Sequence, residues 1–241
     1  MLFHLRTPAL CIGFAFAIAS GSIAAGAQNP LVTLPNNYRL IFDNNDVSVI
    51  HAHYGAHEKI PVHDHPSVAT VFVYLNNSGE VRIDHPEAGG KVESVIRPPT
   101  ATGAFRVVAG MAETHSIENL GDTSSDFLRV ELKRVSLETL KEPFRGKAPQ
   151  ILASSQDSLE FTAPGLQIER IACVGASSCP LKASPAPSLI VAISPLSFAA
   201  AATKGEMLDT GSVRWLPSAR SATITAPKAA PGQILRILLP R

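Results

Sequence analysis

Through the middle of the 241-residue chain, apolar residues come in short runs of Val, Ile, Phe and Tyr, broken by Gly, Pro and Asn. Runs of this length, bounded by turn-forming residues, predict strands at 38–42, 47–54, 68–75, 80–84, 103–108 and 127–133. A 3.6-residue period shows only briefly, near 137–141. Many short strands at this spacing predict an all-β sandwich or barrel.

The pattern also repeats. Thr102-Gly103-Ala104-Phe105-Arg106 returns as Thr210-Gly211-Ser212-Val213-Arg214, and Leu128-Arg129-Val130 returns as Leu235-Arg236-Ile237. Upstream, Gly55-Ala56 and Pro61-Val62-His63-Asp64-His65-Pro66 align with Gly175-Ala176 and Pro180-Leu181-Lys182-Ala183-Ser184-Pro185. Order is kept and spacing is similar, so two copies of one unit are expected. The expected boundaries are an N-terminal barrel at 28–140, a linker at 141–158 and a degenerate C-terminal barrel at 159–241. In this alignment His63 falls on Lys182, His65 on Ser184, and His115 on Ala222 or Thr223, so the second copy has lost every histidine. Arg106 and Arg214, kept in both, read as shared architecture.

Composition adds where the protein works. His4 and Arg6, the apolar run 9–19 and the small residues ending Ala25-Gly26-Ala27 predict a signal peptide over 1–27. The apolar run is shorter than the ~20 residues of a membrane span. A secreted or periplasmic protein without stable membrane insertion is expected. Lys and Arg number 21 against 20 Asp and Glu, and Arg6 falls in the leader, so the remainder is balanced. With no basic run, nucleic acid is not an expected partner. Of three cysteines, Cys11 leaves with the leader; Cys173 and Cys179 are either a disulfide of an exported protein or two small core residues.

The candidate chemistry lies in two histidine motifs about fifty residues apart, around His63 and His65 and around His115 to Asn119. Successive strand side chains point to opposite faces, so His63 and His65 share one face and Asp64 takes the other. That makes half of a metal site. The bland alternative is a polar pocket lined by strand histidines.

These motifs resemble those of the cupin superfamily, over 34–133 and more faintly over 159–241. Gly55 leads into His63 and His65; Ala109-Gly110 leads into His115, followed by Asn119. The resemblance implies two tandem cupin-type double-stranded β-helix (jelly-roll) barrels, with His63, His65 and His115 as metal ligands in the first. It also implies a glutamate ligand a few residues beyond His65, where this chain has Ala69 and Thr70 and no carboxylate before Glu80. Either the site is three-histidine, which is the leading expectation, or a replacement ligand comes from elsewhere, or metal binding has weakened. Imidazoles suit zinc, iron, copper or nickel, and the expected cofactor is a divalent metal ion such as iron, zinc, nickel or manganese. Three neutral ligands leave the ion its full charge for an anionic substrate.

Glu113, two residues before His115, shares its face if the strand is extended there, and is a candidate fourth ligand or general base. The competing role is a solvated loop residue. His51 and His53 alternate on the preceding strand and face either inward or outward. Asn119 reads as a turn-holding residue, and His85, in a turn-like stretch, as exposed. Neither a Gly-x-Ser-x-Gly elbow, a phosphate loop nor a Cys-x-x-Cys pair occurs. The leading expectation is an exported metal-binding barrel protein carrying out an oxygen-dependent reaction on a small molecule. The alternatives are a non-catalytic small-ligand-binding protein with a homodimer surface, and a metal-independent isomerase or epimerase.

Overall fold

The computed structural model describes residues 28–149, 153–200 and 204–240. The expected signal peptide lies outside the described residues. A four-residue helix, Pro30–Thr33, opens the described chain; Asn29 caps it by accepting from the Leu31 amide, and Pro30 fits its first turn. Almost everything else with regular structure is strand. The weak helical period near 137–141 forms a turn that buries Leu137, because too few residues follow it to close a second turn.

The first barrel runs through β1 (Tyr38–Asp43), β2 (Val47–Tyr54), β3 (Lys59–His65), β4 (Ala69–Tyr74), β5 (Val81–Pro86), β6 (Val92–Arg97), β7 (Phe105–Val108), β8 (Glu113–Asn119), β9 (Ser125–Leu132) and β10 (Phe144–Gly146). The second runs through β11 (Gln156–Ala163), β12 (Leu166–Cys173), β13 (Ser178–Leu181), β14 (Ser188–Ala192), β15 (Leu196–Ala200), β16 (Glu206–Leu208), β17 (Val213–Leu216), β18 (Ala222–Thr225) and β19 (Gly232–Leu238). The segment expected to be a linker contains β10, which pairs antiparallel with β7.

The topology repeats strand for strand. One sheet of the first barrel has the order β1-β2-β9-β4-β7, extended by β10, and its counterpart has β11-β12-β19-β14-β17. The facing sheets are β3-β8-β5-β6 and β13-β18-β15-β16. Each barrel is thus a two-sheet jelly roll, as expected.

Period-2 patterning sorts each strand between two cores. Val47, Val49, Val71, Val73, Leu128 and Val130 face away from the first barrel's interior. They pack in one cluster with Ile168, Leu189, Val191, Leu235 and Ile237 of the second. The large sheets therefore stand back to back over a shared core.

The conserved-looking Thr-Gly of the repeat is explained there. Gly103 and Gly211 both have positive φ, 77° and 85°, and both donate their amides across a turn, to Tyr74 O and Ala192 O. A Cβ on Gly103 would stand 2.6 Å from Ile193 Cγ2, and one on Gly211 would stand 2.9 Å from Leu75 Cδ1. Each glycine thus abuts the other barrel, at reciprocal positions. Only glycine combines that backbone with that proximity.

Cys173 and Cys179 form a disulfide across the turn from β12 to β13, with Cα atoms 5.9 Å apart, settling that alternative. His51 and His53 face outward, opposite to Ile50, Ala52 and Tyr54, and both approach Asp126, His53 Nδ1 at 2.7 Å.

Candidate metal centre

β3 and β8 are adjacent, and their ladder sets His63 opposite His115 and His65 opposite Glu113. A bulge between Ile60 and His63 is what aims the motif. It inserts a residue, so Pro61 and Val62 are exposed while Ile60, His63 and His65 all turn inward. Asp64 points out and accepts from Thr114 Oγ1 at 2.6 Å.

The bulge also corrects the alignment with the second copy. There the ladder runs without interruption, and Leu181 stands opposite Ala222 as His63 stands opposite His115. The counterpart of His63 is Leu181, not Lys182, and His65 by the same register falls on Ala183 rather than Ser184.

The three histidines converge. His63 is 0% exposed, and His65 and His115 are 5% exposed. Their ring centroids lie 4.7 to 5.1 Å apart, and one nitrogen from each lies within 4.8 Å of the others. His63 Nδ1 donates to Pro61 O at 2.9 Å, which fixes the neutral tautomer with a lone pair on Nε2. That nitrogen accepts from the Tyr38 hydroxyl at 2.8 Å, and Tyr38 is bonded in turn to Tyr54 at 2.9 Å. Neither nitrogen of His115 makes a hydrogen bond, although both are buried. A buried polar atom without a partner is costly, and a bound cation would relieve the cost.

Burial keeps the imidazoles of His63 and His65 neutral. Burial pushes the His63 pKa down to about 4, the Pro61 carbonyl only partly opposing it. Burial, with Arg129 next, holds His65 well below the ordinary range. Neutral imidazole is the form that ligates metal, and buried histidines with nitrogens to spare are a donor set suited to a divalent transition metal.

Glu113 is placed inside the barrel, not in a solvated loop. Its Oε1 lies 3.0 Å from His115 Nδ1, off the line needed for a hydrogen bond, and 3.7 Å from His85 Nε2. Burial alone raises the Glu113 carboxyl; the contact with His115, aided by Arg129 and His85, outweighs it and brings the pKa down to about 2. His85, Glu113 and His115 form a second group of metal-capable side chains sharing His115 with the first. A carboxylate thus stands beside His115 on β8, grouped with His85 rather than with His63 and His65.

His85 is not exposed as expected; its side chain is 28% accessible and its ring is 5.7 Å from that of His115. Its turn-like neighbours follow a strand, and β5 carries Val81, Ile83 and His85 on the inward face. Asn119 is as expected: fully buried, it donates to Tyr54 O, Gly55 O and Thr123 O and accepts from the Gly121 amide.

The cavity below the histidines encloses about 40 Å³, with a wall of Phe72, Tyr74 and Phe127 and with Arg97, Arg106 and Arg129. A vestibule of about 320 Å³ adjoins it, sharing Phe72, Arg106, Glu113 and Arg129. Tyr38, Arg97 and Arg129 were missed by sequence reasoning, which followed the histidine spacing alone. The inward phase of β9, with Phe127, Arg129 and Glu131 alternating against the shared core, is the signal that could have found Arg129. Arg106 departs from its counterpart: Arg214 is a surface residue in a bidentate pair with Glu206, whereas Arg106 turns into the cavity. Repeated sequence here did not mean a repeated role.

No protein-family model matches the sequence, and no curated protein matches it. Solved structures do. AerE from Microcystis aeruginosa superposes with a TM-score of 0.57 at 15% identity, over 85% of this chain and 98% of that one. Oxalate decarboxylase from Lactobacillus farciminis gives 0.54 at 11% identity, over 82% and 78%. Salicylate 1,2-dioxygenase from Pseudaminobacter salicylatoxidans gives 0.53 at 9% identity, over 80% and 71%. At these identities the likeness is one of fold: the chain is a tandem pair of cupin-type barrels, a bicupin fold.

Proposed function

We propose that the first barrel binds a divalent metal ion through His63, His65 and His115 and uses it on a small molecule in an oxygen-dependent reaction. The observation that carries this is the convergence of three buried imidazoles on one point, with Nε2 of His115 buried without a partner and its Nδ1 beside only the Glu113 carboxylate. Three protein ligands leave positions open, the mark of a reactive rather than a stapling metal. Such an ion would polarise a ligand oxygen and, where it is redox-active as iron is, exchange electrons with it.

The chain's own residues do the rest. The Pro61 carbonyl orients His63 through Nδ1, as outer partners of ligating histidines do, and an ion at Nε2 would take the place of the Tyr38 hydroxyl that bonds there. Glu113, ionised at neutral pH and next to His115, is placed to accept a hydrogen bond from a ligand in the cavity. The aromatic wall excludes water. Salicylate 1,2-dioxygenase, whose fold this chain shares, is named for oxygen-dependent chemistry. The leader pattern of residues 1–27 supports a reading in which this happens after export, in the periplasm or outside the cell.

Metal analysis of the purified protein, reconstituted with iron, zinc, nickel or manganese, tests the reading. One ion per chain is expected, lost in His63→Ala with His115→Ala, followed by oxygen uptake with the iron form. Absence of metal after reconstitution ends it. In that event the Glu113 and His115 pair, 3.0 Å apart, favours the metal-independent isomerase reading, in which these two groups move protons directly.

A further inference from the structure

The first barrel's cavity is positively charged in a way its fold does not require. Arg97, Arg106 and Arg129 all line it. Arg97 is engaged in structure, donating to Ser125 Oγ at 2.9 Å and lying over the Tyr74 ring. Arg129 uses its Nε on Glu131 at 2.9 Å, which leaves the two terminal nitrogens of its fork. Arg106 makes neither a hydrogen bond nor an ion pair among the described residues, and its Nε is buried without a partner. It is held only by stacking, its guanidinium 4.7 Å from the centroid of Phe72, a ring that Arg129 also overlies at 5.4 Å.

The second barrel shows what these arginines look like when they serve the fold. There Arg214 is paired with Glu206, and Arg236, the counterpart of Arg129, donates to Ser188 and lies 3.5 Å from Glu169. An arginine with no counter-ion at the lip of a half-closed cavity is a standing cost unless something else supplies the charge. Glu113 on the lining and Glu131 bonded to Arg129 offset two of the three arginines and leave the cavity at +1 before any metal is counted, with Lys141 adding a charge in the vestibule.

We propose that this cavity takes a small organic carboxylate, gripped by Arg106 together with the free end of Arg129, with its apolar body against Phe72 and Phe127. The planar fork of a guanidinium matches a carboxylate, and the single uncompensated charge suits a monoanion better than a phosphate dianion. The vestibule, bounded by Val108, Met111 and Lys141 besides these arginines, has room for a ligand of this class to enter. The inference rests on the same cavity as the proposed function, naming its ligand, but the arginine grip needs no ion at the histidines.

Titration calorimetry on the full chain decides it, using benzoate and acetate as probes, benzamide as the neutral isostere of benzoate, and inorganic phosphate as the competing anion. Each is measured on chelator-stripped protein and again with zinc. Benzoate is expected to bind both forms, benzamide and phosphate more weakly. Arg106→Gln should lower benzoate affinity about tenfold to a hundredfold, the worth of a hydrogen-bonded charge, while metal content and Tm stay as in the parent. Arg129→Gln is the second variant.

Equal binding of benzamide, tighter binding of phosphate, or unchanged benzoate affinity in both variants overturns the proposal, as does failure of either carboxylate to bind at millimolar concentration. Benzoate bound only with zinc and indifferent to Arg106 would leave the metal reading standing and remove this one. Arginine-dependent binding in a protein that never takes up metal would do the reverse.

Discussion

The two barrels have one topology and opposite interiors. Where the first holds His63 and His115 on paired neighbouring strands, the second holds Leu181 and Ala222, and its interior is closed by Ile190, Leu196, Phe198 and Ile234. The first keeps Tyr38, His65, Arg106 and Glu113 around open space. The second therefore spends its interior on packing, worth roughly 25 cal/mol per Å² of apolar surface buried, and the first gives some of that up for polar groups. The joint between β2 and β3 shows the same divergence. In the first barrel Asn119 reaches across from β8 to the Tyr54 and Gly55 carbonyls; in the second, Cys173 and Cys179 close the equivalent turn directly, and the counterpart of Asn119 is the apolar Ala226.

The sharpest way to break this comparison is at what the barrels share. Gly103→Val and Gly211→Val each put a branched side chain on a positive-φ backbone and into the opposite barrel, so each should cost roughly 3 kcal/mol or more. Urea unfolding of the two variants should show losses of similar size; a large loss at one position and none at the other would dismiss the reciprocal packing. Next in size, Asn119→Ala takes a hydrogen bond from the Tyr54, Gly55 and Thr123 carbonyls and from the Gly121 amide and should cost about 2 to 3 kcal/mol, and metal affinity should fall with it. Unchanged stability would mean that the joint does not depend on this residue.

Removing the staple of the other barrel with Cys173→Ala and Cys179→Ala should cost about 2 kcal/mol, as expected for a short loop, and leave the metal content of the first barrel untouched. A parallel loss of metal would show the two joints are coupled.

The smallest effect is one of pH, and its histidine part belongs to the first barrel alone, since the second has no histidine. In the metal-free protein the unfolded imidazoles take protons near pH 6.5 while folded His63 resists down to about 4. Stability is then flat above 6.5 and falls as pH drops towards 4, because the unfolded state binds more protons. Glu113, with a folded pKa of about 2, adds a second loss between about 4.5 and 2. Measured midpoints in urea across this range should fall on the acid side, and less steeply in His63→Asn. A slope of the same size in that variant would assign the titration elsewhere.

Much of this was readable in advance because period-2 alternation fixes a face. The repeat, the all-β class, the inward pairing of His63 and His65 and the role of Asn119 all follow from spacing and residue type. What spacing could not give was register. The bulge before His63 shifted its counterpart from Lys182 to Leu181, and His85 was hidden by turn-forming residues that begin one position after it. Arg106 and Arg214 show a deeper limit: the same motif on the same strand meets open space in one barrel and Glu206 in the other. That difference is made by residues distant in sequence.

The back-to-back core has a thermodynamic consequence. Because Val71, Val73 and Leu128 share one apolar cluster with Leu189, Val191 and Leu235, neither barrel can expose its large sheet while the other remains intact at no cost. Whatever binds the first barrel stabilises the native state by RT ln(1 + [L]/Kd), about 2.7 kcal/mol at a hundredfold excess over Kd. The shared core passes that protection to strands that touch no ligand. The filled barrel thereby becomes a gauge of occupancy in the open one: backbone amides of β14 and β19 should exchange more slowly when an ion or a carboxylate occupies a cavity to which neither strand contributes.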